Sequence, residues 1–84
     1  LRFNTFPADL STNDLIVHFT LTGSDFRQIP RNASAANRLG FALQLVLLRF
    51  LGFHLQDLRS LPKAVLDFVA IQIEVEPEVI ISYG

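Results

Sequence analysis

Three arginines, Arg27, Arg31 and Arg38, fall within twelve residues, and no acidic residue lies between the first and the last. Asn32, Ser34 and Asn37 are interleaved with them. That mixture suits a polyanion. A guanidinium can hold phosphate or guanine through paired hydrogen bonds, and amide and hydroxyl side chains add contacts to the backbone of a nucleic acid. The cluster also sits where a helix is expected to start, and the outward amides of a first helical turn carry partial positive charge. Arg27, Arg31, Asn32, Ser34, Asn37 and Arg38 are therefore the candidate DNA-contacting residues. The competing assignment is local: Arg38 pairs internally with Asp25 or Asp57, and Ser34 does no more than cap the helix.

Other chemistries find little support. The chain has no cysteine, which excludes a disulfide framework, a thiolate metal site and a cysteine nucleophile. His18 and His54 do not have metal-ligand spacing, and no histidine stands where it could serve any of the five serines as a base. His18 falls beside an apolar stripe and reads as a half-buried structural residue. Asp14 and Asp25 read as helix-cap residues, and Asp67, Glu74 and Glu78 as surface carboxylates. Arg59 and Lys63 form a secondary basic spot that reads as solvated charge. No catalytic residue, metal site or cofactor is expected. Asn32-Ala33-Ser34 matches a glycosylation sequon, a reading set aside for a chain expected in the cytoplasm.

Eighty-four residues make one domain, and half of them are apolar, including eight phenylalanines. That is enough for one core, although so short a chain buries only about 60–65% of its unfolded surface. The formal charge of −1 is unlike that of a free-standing nucleic-acid binder, so only a local basic face could serve. The run from Leu39 to Phe53 is interrupted by Gln44 and Arg49 and is shorter than the roughly 20 residues a bilayer span requires. With no targeting segment visible, the cytoplasm is the expected compartment. A start at Leu1 and a finish at Tyr83-Gly84 suggest a piece of a longer protein, some of whose apolar surface meets a neighbour.

One local device occurs twice. Leu10-Ser11-Thr12-Asn13-Asp14-Leu15 and Leu21-Thr22-Gly23-Ser24-Asp25-Phe26 each pair a hydroxyl N-cap with an acid at N3, and each is flanked by apolar residues able to form a staple. They predict helices over about 11–20 and 22–29, the second closed by Ile29-Pro30. A long helix is expected from about 34 to 51, stopped by Gly52. Leu39, Leu43, Val46, Leu47, Phe50 and Leu51 cover one side of it, and Phe41, Leu45 and Leu48 much of the other, the pattern of a central helix. Gln44 lies near Asn37 in angle and Arg49 near Arg38, two pairs expected to mark exposed or inter-domain strips. A polar connector is expected over 54–59. Pro62 then opens a helix capped by Ser60 or Leu61 and ending near Ile73, although Ile71, Ile73 and Val75 alternate like a strand. Pro77 opens a last short helix reaching Tyr83.

The block Asn37-Arg38-Leu39-Gly40-Phe41-Ala42-Leu43-Gln44-Leu45, followed by Leu48-Arg49 and Leu51-Gly52-Phe53, resembles the N-terminal domain of replicative transposases of the Tn3 class. Phe19-Thr20-Leu21 with Asp25 is similar to that family's opening F-x-L-x-x-x-D. Pro62, Val65, Phe68-Val69-Ala70 and Gln72-Ile73 are similar to its P-x-x-V-x-x-F-V-A-x-Q-L run, and Pro77 with Tyr83 to its closing P…Y. The likeness spans about residues 3–83. It departs at Gly52-Phe53-His54, where many relatives place a basic residue after the glycine. The resemblance implies a helical, helix-turn-helix-like module that helps recognise the transposon's terminal inverted repeats in a bacterial cytoplasm. It also implies a large parent enzyme whose DDE catalytic domain lies downstream.

The expected architecture is all-α, a small four- to five-helix bundle built around the 34–51 helix, with residues 1–84 as a single domain. The expected partners are DNA and the other domains of a parent transposase, with no membrane and no small-molecule substrate. The rival expectation is an interaction module that packs against those domains and never meets DNA.

Overall fold

The computed structural model describes residues 9–83, so the start of the family likeness, at residues 3–8, lies outside the described residues. Helix α1 is Thr12–Phe19 and α2 is Gly23–Gln28. Both begin with the reciprocal cap. The Ser11 hydroxyl accepts from the Asp14 amide at 3.0 Å while the Asp14 carboxylate accepts from the Ser11 amide at 3.0 Å. Thr22 and Asp25 repeat the arrangement at 3.0 and 2.9 Å. Each cap satisfies two amides that would otherwise lack a partner and contributes about 0.5–2 kcal/mol. The expected staple is lopsided in α2: Leu21 is buried, whereas Phe26 remains exposed.

Helix α3, Ala35–Leu51, is the longest element, capped by Ser34 and ended by Gly52 at φ 85°. A left-handed residue at that point favours glycine because a Cβ would crowd the next carbonyl. The 3₁₀ turn Leu58–Ser60 then leads into helix α4, Lys63–Gln72, and the 3₁₀ segment Pro77–Ser82 closes the described chain. The connector after α3 is less polar than expected, because Leu58 is buried in the core. Pro62 itself is the N-cap of α4 and offers no side-chain hydrogen bond, in place of the Ser60 or Leu61 cap expected. No described residue is in a strand. The alternation at 71–75 yields to the helix because Val65, Val69 and Ala70, at helical spacing, are all buried.

The architecture is all-α. Helix α3 packs against α1, α2, α4 and the closing 3₁₀ segment, and α4 also packs against α1 and that segment. The core holds Phe19, Leu39, Leu43, Val46, Leu47, Val65 and Val69, all fully buried. Helix α3 is not surrounded, however. Phe41 and Leu48 stay 37% and 45% exposed on its outer side, so its apolar circumference is only partly covered.

Three polar ties fix the helix arrangement. Gln72 on α4 accepts from the Leu21 amide at 2.8 Å and donates to the Phe19 carbonyl at 3.0 Å, clamping the α1–α2 corner. Arg49 on α3 donates to the Asp25 carboxylate at 2.7 Å and to the Thr20 carbonyl at 3.2 Å. Gln44 donates to the Leu55 carbonyl at 2.8 Å. Gln44 and Arg49 therefore tie elements together, and Arg49 does so while remaining exposed, as expected of that strip. The alternation of polar residues on an apolar helix could not separate these roles, because both need a polar group at that position.

Candidate nucleic-acid interface

The connector 29–34 carries the chain from α2 to α3, and its hydrogen bonds are local. The Ala33 amide donates to the Pro30 carbonyl at 3.4 Å, and the Ser34 hydroxyl accepts from the Asn37 amide at 3.1 Å. Arg38, one turn into α3, sends its Nε back to the Ala33 carbonyl at 3.3 Å. That bond holds the stem of Arg38 against the connector and leaves the terminal nitrogens of its guanidinium for other partners.

Arg31 and Arg38 line one open cleft of about 310 Å³, with Phe26, Ile29, Gln72, Ile73 and Glu74 as the remaining walls. Neither arginine has a carboxylate within ion-pair distance among the described residues. The carboxylates that could have neutralised Arg38 are engaged elsewhere, Asp25 with Arg49 at 2.7 Å and Asp57 with Arg59 at 3.1 Å. Burial alone would push the Asp25 carboxyl up. The Thr22 amide and the Arg49 guanidinium outweigh that and hold it below the ordinary 3.8, so it stays ionised and paired.

The other candidate residues do not line this cleft. Asn32 is exposed beside Arg31 in the connector, and the Asn37 side chain is exposed on the first turn of α3. The Ser34 hydroxyl accepts as the N-cap, so the capping role expected of it is met whatever else it does. Arg27 is exposed but does not line the cleft; its guanidinium lies close above Gly23 at the start of α2. Arg59 and Lys63 pair on the surface with Asp57 and Asp67, and exposed pairs of this kind contribute about 0–1 kcal/mol. His18 is exposed and tilts against the Phe50 ring at 4.9 Å between centroids. Among the described residues, no three His, Asp or Glu side chains converge as metal ligands would. Among the described residues, no helix is long and apolar enough to cross a membrane.

Sequence reasoning missed the wall opposite the arginines. Helix α4 ends in a Schellman turn: the Val75 amide donates to the Ala70 carbonyl at 3.1 Å and the Glu74 amide to the Ile71 carbonyl at 3.3 Å. The residue between, Glu74, has φ 60°. Glycine is the usual occupant there, and a residue with a Cβ costs about 1 kcal/mol in that region. The sequence contains no glycine near 74 to announce the turn, and Glu74 reads from the sequence as an ordinary surface acid.

With this geometry in view, the chain can be compared with known proteins. The family model described as "Domain of unknown function (DUF4158)" matches residues 1–84. The chain is 42% identical over 74 residues, 88% of its length, to the transposase for transposon Tn501 of Pseudomonas aeruginosa. It is 37% identical over 84 residues, 99% of its length, to the transposase for transposon gamma-delta of Escherichia coli strain K12. It is 33% identical over 66 residues, 79% of its length, to the transposase for transposon Tn1546 of Enterococcus faecium. The chain spans only about 8% of the first two relatives and 7% of the third. No solved structure matches it significantly.

Proposed function

This chain belongs to the DUF4158 family, as an N-terminal domain of Tn3-type transposases, and from that premise we propose that it binds DNA at the transposon's terminal inverted repeats. The observation that carries the proposal is the cleft beside the start of α3, which Arg31 and Arg38 both line, neither of them in an ion pair among the described residues. Two guanidiniums with no ion-paired carboxylate, beside the positive end of a 17-residue helix, supply donors for the acceptor groups of DNA, phosphate oxygens and guanine edges alike. Asn32 and Asn37 extend this donor set along the connector and the first helical turn, while Arg27, outside the cleft, adds exposed positive charge on α2. In this reading α2, the connector and α3 act as a helix-turn-helix-like unit, and the chemistry of strand transfer belongs to the remainder of the parent protein. The setting is the bacterial cytoplasm, where the transposon ends are found.

A net charge of −1 means that the domain acts as one contact among several. Affinity comes from a few phosphates and falls with salt. The test is a mobility-shift titration of the intact transposase on transposon-end and scrambled DNA. Replacing Arg31 and Arg38 together by Ala is expected to weaken end binding about tenfold or more while the variant stays folded. A folded double variant that binds as tightly as the parent overturns the assignment.

A second reading has its own observation. Phe41 and Leu48, with Phe53 just past the helix end, remain 37–47% exposed. Phe41 and Leu48 lie about 60–80° around α3 from Arg38 by helical geometry. An exposed apolar row of this kind suits contact with other domains of the parent transposase. Phe41 and Leu48 do not line the arginine cleft but occupy the neighbouring strip of α3, so both contacts can be made from one side of the domain.

A further inference from the structure

We propose that Glu74 is a base-reading residue of the arginine cleft, one that accepts a hydrogen bond from the exocyclic amino group of cytosine while Arg31 or Arg38 engages guanine. The inference rests on the DNA-binding reading above. It begins from a conflict. A cleft built only to seat phosphate should exclude carboxylates, yet Glu74 forms part of the wall of the cleft that holds Arg31 and Arg38. It neutralises neither arginine, because no ion pair joins them. It is also held there at a backbone cost, at φ 60° in a turn that glycine would close more comfortably. An unfavourable conformation at a ligand-facing position is a reason to look for a role.

The donor and acceptor pattern defines the ligand. Two guanidiniums supply only donors, and a carboxylate supplies only acceptors. Phosphate offers only acceptors, so it would satisfy the arginines and be repelled by Glu74. A G·C pair viewed from the major groove offers both kinds of group. Guanine presents its N7 and O6 acceptors to arginine, and cytosine presents its N4 amino donor to a carboxylate. The remaining wall is mostly Phe26, Ile29 and Ile73, which offer no hydrogen bonds, so a polar base edge finds its partners in the arginines and Glu74. Arg38 is preorganised for this, since its Nε is already bonded to the Ala33 carbonyl. The carboxylate adds selectivity by repulsion as well: a sequence that brings phosphate or a base acceptor to Glu74 is disfavoured.

The experiment uses the intact transposase and a panel of terminal-repeat duplexes in which each base pair is replaced singly. Glu74→Ala and Glu74→Gln are compared with the parent and with the Arg31→Ala/Arg38→Ala variant at fixed salt. Glu74→Gly is included because it keeps the turn and removes only the carboxylate. The expected result is a loss of discrimination of about 5- to 150-fold at one C·G position in the Ala and Gly variants. Affinity for scrambled DNA should stay equal or rise. A discrimination profile unchanged at every position in a folded Glu74→Gly variant, while the double arginine variant still binds ends weakly, overturns the role of Glu74 alone. End binding that is insensitive to the arginines overturns the DNA reading itself.

Discussion

The ring of Tyr83 rests on α3 at Gly40 and fills the space that a side chain at that position would occupy. Glycine inside a helix costs about 1 kcal/mol relative to alanine, and Gly40 lies in the buried middle of α3. The close approach of the tyrosine is the physical reason for it. A feature of the central motif and the closing aromatic of the chain are thus two halves of one contact. That contact docks the C-terminal 3₁₀ segment on the long helix.

Substituting Gly40→Ala should push the Tyr83 ring off the helix. The gain in helix propensity, about 1 kcal/mol, is smaller than the lost packing of the half-buried Tyr83 ring, about 2 kcal/mol. The net expectation is destabilisation by about 1 kcal/mol, or about 4–8 °C in Tm for a domain of this size. In a Tyr83→Ala background the same substitution should become stabilising. The chain has one tyrosine and no tryptophan, so tyrosine emission reports the displacement directly. A Gly40→Ala effect of the same sign in both backgrounds would mean the contact does not govern position 40.

Gln72→Ala removes the clamp between α4 and the α1–α2 corner. The Leu21 amide loses its partner, and stranding a part-buried polar group costs about 1–3 kcal/mol. Denaturant titration should show a lower midpoint with an unchanged m-value. Hydrogen exchange at the Leu21 amide should accelerate more than at the α3 amides. Gln72→Glu, which keeps the acceptor for Leu21 but loses the donor to Phe19, should fall between the two.

Stability should decline in acid through Asp25. Its folded-state carboxyl lies below the ordinary 3.8, because the Thr22 amide and Arg49 outweigh the effect of burial. A depressed carboxylate contributes stability that is complete above the unfolded value. That contribution is lost as pH falls through the folded one. Thermal melts from neutral pH down to pH 2 should therefore show Tm dropping below about pH 4. The drop should be shallower in Asp25→Asn, which begins less stable at neutral pH. Equal slopes in the two proteins would refute the assignment.

Salt dependence distinguishes the arginine cleft from the paired surface charges. Each phosphate contact contributes about 0.9 to the slope of log affinity against log salt. Arg31→Ala/Arg38→Ala should lower the magnitude of that slope by about 1–2. Arg59→Ala, which breaks only an exposed pair with Asp57, should leave it unchanged. A similar drop in both variants would indicate a diffuse electrostatic contribution in place of a defined seat.

Much of this fold is written in short-range chemistry. Ser11 with Asp14, Thr22 with Asp25, Pro30, Ser34 and Gly52 each set a helix end through groups three or four residues away or through their own backbone preference. These could be read in order along the chain, and the helices begin and end within a residue or two of where they were expected. The candidate cluster was legible for the same reason, as a run of cations without acids. What could not be read is which partner each charge takes. Asp25 could pair with Arg38 or with Arg49, and only the way α2 crosses α3 puts Arg49 within 2.7 Å and leaves Arg38 to the cleft. The Gln72 clamp spans about fifty residues of sequence, and Glu74 meets the arginines only because the end of α4 returns to the α2–α3 connector. Sequence alone determined the helices, since caps and breakers act over a single turn. Tertiary structure decided the cleft, since side chains far apart in the chain acquire fixed separations only once the helices pack.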